Sequence, residues 1–307
     1  MQQDIQVTIV GSSNVDITAL MARLPGPGET VLADSYQLSP GGKGANQALA
    51  AALAGAATEF IGAVGNDSHA EIALGQLEEA GVKLDRVARA SEPTGVAIIQ
   101  VDRGAENSIA VVSGANSTVS GEAVQAAGGI EGILVLQGEI PASGIKAAMD
   151  AATQRIVLNL APVIELDREY LLKANPLVVN EHEAEAVLQQ LNPHPARQFD
   201  GKYERLAGML VDEGIASVVI TLGANGCLVA DRFPGENGGV QVRALPAVKV
   251  KAVDTTGAGD AFTGAVAARL AKGDDLAQAA EFAGKFAALT VQAHGAQASY
   301  PRSLQNL

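Results

Sequence analysis

Asp260 closes the stretch Asp254-Thr255-Thr256-Gly257-Ala258-Gly259-Asp260. Before it an alternating run, Val248 to Val253, predicts a strand; after it the Ala-rich run Asp260 to Ala271 predicts a helix. A glycine-rich turn at a helix start exposes free backbone N–H groups and the positive end of the helix dipole, which suits a phosphate or another anion. Gly257 and Gly259 let the chain approach such a ligand closely. A carboxylate at that place repels an anion, so Asp260 has two readings. It caps the helix, or it is a general base aimed at a hydroxyl that attacks a phosphoryl group held by the amides.

Other polar residues sit where ligands are bound. Gly41-Gly42-Lys43-Gly44-Ala45-Asn46-Gln47 opens a second Ala-rich helix. Gly44 after Lys43 rules out a Walker A loop, and the loop's glycines, Lys43 and Asn46 suit a small polyol. Asn14 and Asp16 follow the apolar run Val7 to Val10 and either grip vicinal hydroxyls or form an Asx-turn. Glu139 stands just past the strand-like run Ile133 to Gln137. Asn180 and Glu183 have capping-box spacing, and beside a phosphate site they would also order Mg²⁺ through its waters; the two roles are compatible. Gly223-Ala224-Asn225-Gly226 is a turn that could flank nucleotide phosphates. His69, His182, His194 and His294 lack ligand-like spacing, which argues against zinc.

These residues need a scaffold, and 307 residues rich in Ala, Val, Leu and Ile, with 3% aromatics and no Trp, predict one large α/β domain. A net charge of −13 argues against nucleic acid and anionic membranes as partners. A lone Cys227 excludes an internal disulfide framework and fits a reducing cytosol, and Met1-Gln2-Gln3-Asp4 has none of the blocks of a signal peptide. Strands are expected at Val7 to Val10, Phe60 to Val64, Ile133 to Gln137, Ile156 to Leu160, Leu177 to Val179 and Ser217 to Leu222. Helices are expected at Ser68 to Ala80, Ser143 to Thr153, Tyr203 to Glu213, Asp260 to Ala271 and Leu276 to Ala293. Pro193 to Gly201 reads as a surface loop. Thr30 to Leu38, Thr94 to Val101 and Asn107 to Val112 interrupt the βα rhythm and predict a small antiparallel sheet lying over the ligand as a lid.

Together the Gly41–Asn46 loop and the Asp254–Asp260 signature, in that order, resemble the ribokinase family of carbohydrate kinases from Val7 to Pro301. The resemblance implies a doubly wound, mostly parallel sheet flanked by helices, with residues 1–307 as a single domain. It implies a small β lid, from about 17–41 and 92–114, that pairs in a homodimer. It implies a cytoplasmic phosphotransferase with an alcohol acceptor, an ATP-dependent sugar kinase acting on the 5-hydroxyl of D-ribose. Asn14, Asp16, Gly42, Lys43, Asn46 and Glu139 match sugar ligands, Asp260 the base, and Gly257, Ala258 and Gly259 the anion hole. Asn180 and Glu183 match the magnesium and phosphate element, and Thr221, Gly223 and Gly226 the nucleotide loop. Asp254, Thr256, Thr290, Ala293, Gly295 and Ser299 match a monovalent-cation site for K⁺. Gly284 aligns where many members place a His or Asn near adenine, so side-chain recognition of the base is not implied. Deoxyribose, another furanose or a nucleoside is the alternative substrate, since deoxyribokinases share the GGKGAN loop and the Ser299-Tyr300-Pro301 ending. A non-catalytic sugar or nucleotide sensor is the alternative of a different class.

Overall fold

The computed structural model describes residues 5–104, 106–193, 201–232 and 239–305; residues 1–4, His194 and most of the expected surface loop lie outside the described residues. The first half of the chain runs β1 (Val7–Val10), β2 (Asn14–Met21), β3 (Ala33–Gly41), α1 (Lys43–Leu53), β4 (Thr58–Val64), α2 (His69–Glu79), β5 (Val87–Arg89), β6 (Gly95–Val101) and β7 (Asn107–Val112). There follow α3 (Gly121–Ala127), β8 (Ile133–Gln137), α4 (Ala142–Ala151), β9 (Ile156–Asn159), α5 (Arg168–Leu171), β10 (Leu177–Asn180) and α6 (Glu181–Leu191). The last part holds α7 (Tyr203–Asp212), β11 (Ser217–Thr221), β12 (Cys227–Arg232), β13 (Val240–Leu245), α8 (Ala258–Ala271) and α9 (Leu276–Thr290).

Nine strands form one sheet in the order β13-β12-β11-β10-β9-β8-β1-β4-β5. All its pairs are parallel except those of β12 and β13, which add an antiparallel edge. Parallel strands are covered on both faces and so read as unbroken apolar runs. In β8, Leu134 and Leu136 enter one core with residues of α4, α6 and α7, while Ile133 and Val135 enter the other with α1, α8 and α9. Each such buried aliphatic side chain contributes about 1.5–3 kcal/mol. The chain leaves β1 toward β4 and β5 on one side, then returns to build β8 to β11 on the other. The reversal lies between β1 and β8, where open α/β sheets bind ligands at the carboxyl ends of their strands.

Helix α8 is buried along nearly its whole length because it lies against both α1 and α9. Gly264 permits the crossing: a Cβ there would sit 2.4 Å from the Gln47 carbonyl oxygen of α1. That close approach brings the start of α1 against the start of α8.

The small sheet has four strands, ordered β3-β2-β6-β7, and β2 pairs parallel with β6, so it is mixed rather than antiparallel. The additional strand is β2, whose first residues are Asn14, Val15 and Asp16. Val248 to Val253 is not a strand. Pro246 follows the edge strand β13 directly, and the Val253 and Asp254 N–H groups donate to the Val291 carbonyl at 2.7 and 3.2 Å, leaving Val248, Val250 and Val253 45%, 37% and 48% exposed. Alternation without a ladder partner does not make a strand. Among the described residues no helix is long and apolar enough to cross a membrane.

Candidate active site

Most of the polar residues singled out from the sequence converge on the carboxyl edge of the large sheet. Asn14 follows β1, Glu139 follows β8, Asn180 ends β10 and Thr221 ends β11, with Asn180 and Thr221 directly opposite in register. The α1 and α8 N-termini face this edge with Lys43, Asn46 and Asp260.

Asp260 does not cap its helix. The N-cap is Gly257, in the left-handed region at φ 73°, with no side-chain capping bond. The Asp260 carboxylate, 7% exposed, turns to α1 instead: Oδ2 accepts from Asn46 Nδ2 at 3.0 Å and Oδ1 from Gln47 Nε2 at 2.9 Å. Behind these stand further carboxamides that sequence reading passed over. Gln47 Nε2 also donates to Asn159 Oδ1 at 2.9 Å, Gln137 Nε2 donates to Gln47 Oε1 at 2.7 Å, and Gln297 Nε2 donates to Asn46 Oδ1 at 3.0 Å. Their signal was a polar residue closing a buried apolar strand, as Gln137 and Asn159 do, or interrupting an Ala-rich helix, as Gln47 does.

A second group of carboxylates and amides adjoins Asp260. Glu139 Oε2 accepts from Ser12 Oγ at 2.6 Å and from the Lys43 backbone N–H at 3.0 Å, so it anchors the α1 start. Asn116 was also missed. Its Oδ1 accepts from the Ser13 N–H at 2.9 Å, which turns its Nδ2 to donate to Asn14 Oδ1 at 2.7 Å. The Asn14 amide is thereby left to donate outward. Gly41 makes room for Asp16, since a Cβ there would lie 2.3 Å from Asp16 Oδ1. Burial, then the nearby charges of Glu139 and Asp260, push the Asp16 carboxyl up to about 6. The Lys43 ammonium is held above its usual value, chiefly by Asp260, against the opposing pull of burial.

The glycine turn at Gly257 is fixed from beneath. Tyr300, 2% exposed, donates its hydroxyl to the Gly257 carbonyl at 2.9 Å, and burial raises that phenol well above the usual range. Asp254 clasps the loop: Oδ1 accepts from the Thr256 N–H and hydroxyl at 2.9 and 2.7 Å, and Oδ2 from the Gly295 N–H at 2.8 Å. Burial, the largest single influence on Asp254, is outweighed by these donors, and its carboxyl stays below the usual value. Thr290 and Ser299 are buried nearby in sequence, each donating its hydroxyl to a backbone carbonyl and keeping its lone pairs. Ala293 is exposed just past α9, and Gly284 lies half-buried within that helix, with no ligand-directed side chain.

Asn180 and Glu183 form the expected capping box, with bonds of 2.8 and 2.9 Å, and burial raises the Glu183 carboxyl. One Glu183 oxygen serves the cap, and the other takes no part in it. The Thr221 hydroxyl donates to the Val179 carbonyl at 3.4 Å, and Gly223 and Gly226, both at positive φ, shape the turn beyond it. Among the described residues no cluster of three His, Cys, Asp or Glu could hold a metal. Oxygen donors with one or two carboxylates suit hard cations carried largely by water and phosphate.

Residues 4–303 match the pfkB family of carbohydrate kinases. A ribokinase of Schizosaccharomyces pombe is 35% identical over 98% of this chain and 96% of its own length. A deoxyribokinase of Salmonella typhi is 34% identical over 97% and 96%. The crystal structure of a Thermotoga maritima ribokinase superposes with a TM-score of 0.86 at 32% identity, covering 97% of both chains. An Arabidopsis thaliana ribokinase complexed with ribose and ATP superposes with a TM-score of 0.80 at 32% identity, covering 97% of this chain and 96% of that one.

Proposed function

The chain belongs to the pfkB family of carbohydrate kinases, and from that membership we propose that it transfers the γ-phosphoryl group of ATP to the 5-hydroxyl of D-ribose. The observation that carries this reading is the buried Asp260 carboxylate at the start of α8, bonded by α1 amides rather than capping its own helix. Phosphoryl transfer needs positioning, neutralisation of developing charge and a base for the attacking hydroxyl. Asn14, Asp16, Asn46, Lys43 and Glu139, around the Gly42 turn, hold the sugar. Asp260 takes the proton of the 5-hydroxyl, and the Gly257, Ala258 and Gly259 turn offers its amides to the transferred group. Thr221, Gly223 and Gly226, with Asn180, flank the nucleotide, and the adenine passes Gly284 without a side-chain contact.

Glu183 would hold Mg²⁺ through water, and oxygens of Asp254, Thr256, Thr290, Ala293, Gly295 and Ser299 would hold K⁺; these ions supply charge neutralisation and a fixed loop shape. The small sheet closes over the sugar and excludes water. Tyr36, Leu38, Ile98 and Val112, 71%, 42%, 44% and 49% exposed, share by register the face of this sheet opposite Asp16 and make an apolar surface that pairs with a second copy. The protein works in the cytoplasm, where Cys227, whose thiol burial raises to about 12, stays reduced.

The deoxyribokinase relative, nearly as similar as the ribokinases, makes 2-deoxyribose the rival substrate. An ADP-release assay over a panel of pentoses and nucleosides tests both. Ribose should exceed deoxyribose in kcat/KM by at least about tenfold, the order expected when a buried partner loses its hydroxyl. The reverse preference would move the assignment to deoxyribose, and no turnover with any sugar would leave the sensor reading.

A further inference from the structure

Asp260 takes its hydrogen bonds from carboxamides, and a carboxamide can present either its N–H₂ or its oxygen. An ionised carboxylate only accepts and so favours the N–H₂ end, and the groups behind Gln47 hold that same end independently of it. The Val178 carbonyl of β10 can only accept, and it receives the Asn159 Nδ2 proton at 2.8 Å. Asn159 Oδ1 is thereby turned to Gln47 Nε2. The other Nε2 proton reaches Asp260 Oδ1, while Gln47 Oε1 accepts from Gln137. Gln47 is fully buried and Asn159 is 7% exposed, so no solvent competes for these positions. A flipped Gln47 would set its oxygen against two acceptors and its amino group against the Gln137 donor.

From this we infer that Gln47 and Asn159 are positioning residues for phosphoryl transfer, carrying the hydrogen-bond polarity of the sheet backbone at Val178 to the Asp260 carboxylate. The carboxylate is thus held in one rotation, with lone pairs left for the sugar hydroxyl. The inference rests on the reading of Asp260 as the base, and the experiment separates the two. Gln47→Met keeps length and removes the donor. Its kcat with ribose should fall about 10–100-fold, the order for a misplaced catalytic group, with ribose KM changed only a few-fold. Placed in an Asp260→Asn background, the same substitution should cause no further fall in kcat. A folded Gln47→Met enzyme with wild-type kcat, or an equal loss in both backgrounds, overturns the inference. An active Asp260→Asn enzyme overturns the base reading and this inference with it. Should Gln47→Met not fold, Asn159→Ala, which leaves Gln47 in place but removes one of the two acceptors that hold its Nε2, is judged by the same two comparisons.

Discussion

Replacing Asp260 with Asn separates chemistry from structure, and the amide network sets what to expect of each. The new side chain has one oxygen and one N–H₂ where the carboxylate had two acceptors. Gln47 cannot turn to meet it, because its polarity is fixed through Asn159 to the Val178 carbonyl. Asn46 is likewise engaged by Gln297. With Asn46 in its present orientation one buried donor then faces another, an unpaired group worth about 1–3 kcal/mol. In a chain this large each kcal/mol lowers Tm by roughly 2–4 °C. A melt should therefore show a folded protein, destabilised by a few degrees. Loss of the base should lower kcat by about 10²–10⁴-fold, or roughly 2.7–5.4 kcal/mol in the barrier. Ribose KM should move little, since the amide still bonds the sugar in the ground state. Steady-state kinetics coupled to ADP release measures the first and thermal unfolding the second. A variant keeping more than about a tenth of wild-type kcat would show that the proton leaves by another route. An unchanged Tm would refute the fixed amide polarity.

Asp16, with its carboxyl at about 6 instead of 3.8, binds a proton more tightly folded than unfolded; the stability this lends is full below about pH 4 and is lost as pH rises through 6. Asp16→Asn should therefore raise Tm at pH 8 and flatten its pH dependence between pH 4 and 6, while ribose KM rises; a pH series of melts showing no difference would count against the buried, charged site. Glu183→Gln keeps an oxygen for the Asn180 N–H, so folding should hold while the Mg²⁺ titration of activity moves to higher concentration; an unmoved titration would release Glu183 from that role. Activity should rise with K⁺ and much less with Na⁺ if the Asp254 loop binds an ion; equal rates in K⁺ and tetramethylammonium at matched ionic strength would remove the cation site.

How much of this was legible varied with the distance over which residues cooperate. The boundaries of β1, β7 and β8 follow from local apolar runs, and the capping box at Asn180 from a three-residue spacing. The glycine turns at Gly42 and Gly257 are likewise local, and both take positive φ. The carboxamides were not legible, because Gln47 meets Asn159 across 112 residues and Gln297 meets Asn46 across 251. Their contact depends on the α1–α8 crossing at Gly264 and on the register that pairs Gln137 with Asn159. The cap reading of Asp260 failed for a similar reason: an acidic residue in a first turn looks the same whether its side chain turns back to its own helix or across to another. Val248 to Val253 had the period of a strand, but a period does not supply a partner.

Those same contacts explain how an acidic chain can handle a triphosphate. Asp16, Glu139 and Asp260 lie close enough to raise the Asp16 carboxyl, and Lys43 answers Asp260, Glu139 and Glu183 together. Such a site does not attract an anion through its field, and a net charge of −13 does not help. It does suit a neutral sugar, whose hydroxyls make their strongest bonds to carboxylate acceptors. In the proposed reaction the triphosphate would therefore rely on backbone amides and on the proposed cations. This accounts for the division of labour along the sheet edge. Carboxylates gather where β1, β8 and α1 meet, and the glycine turn at Gly257 and the polar ends of β10 and β11 stand apart. In the proposed reaction Asp260 lies at the boundary, on the helix whose turn would offer the amides and bonded to the helix that would hold the sugar, where a proton must leave one substrate as the phosphoryl group reaches it.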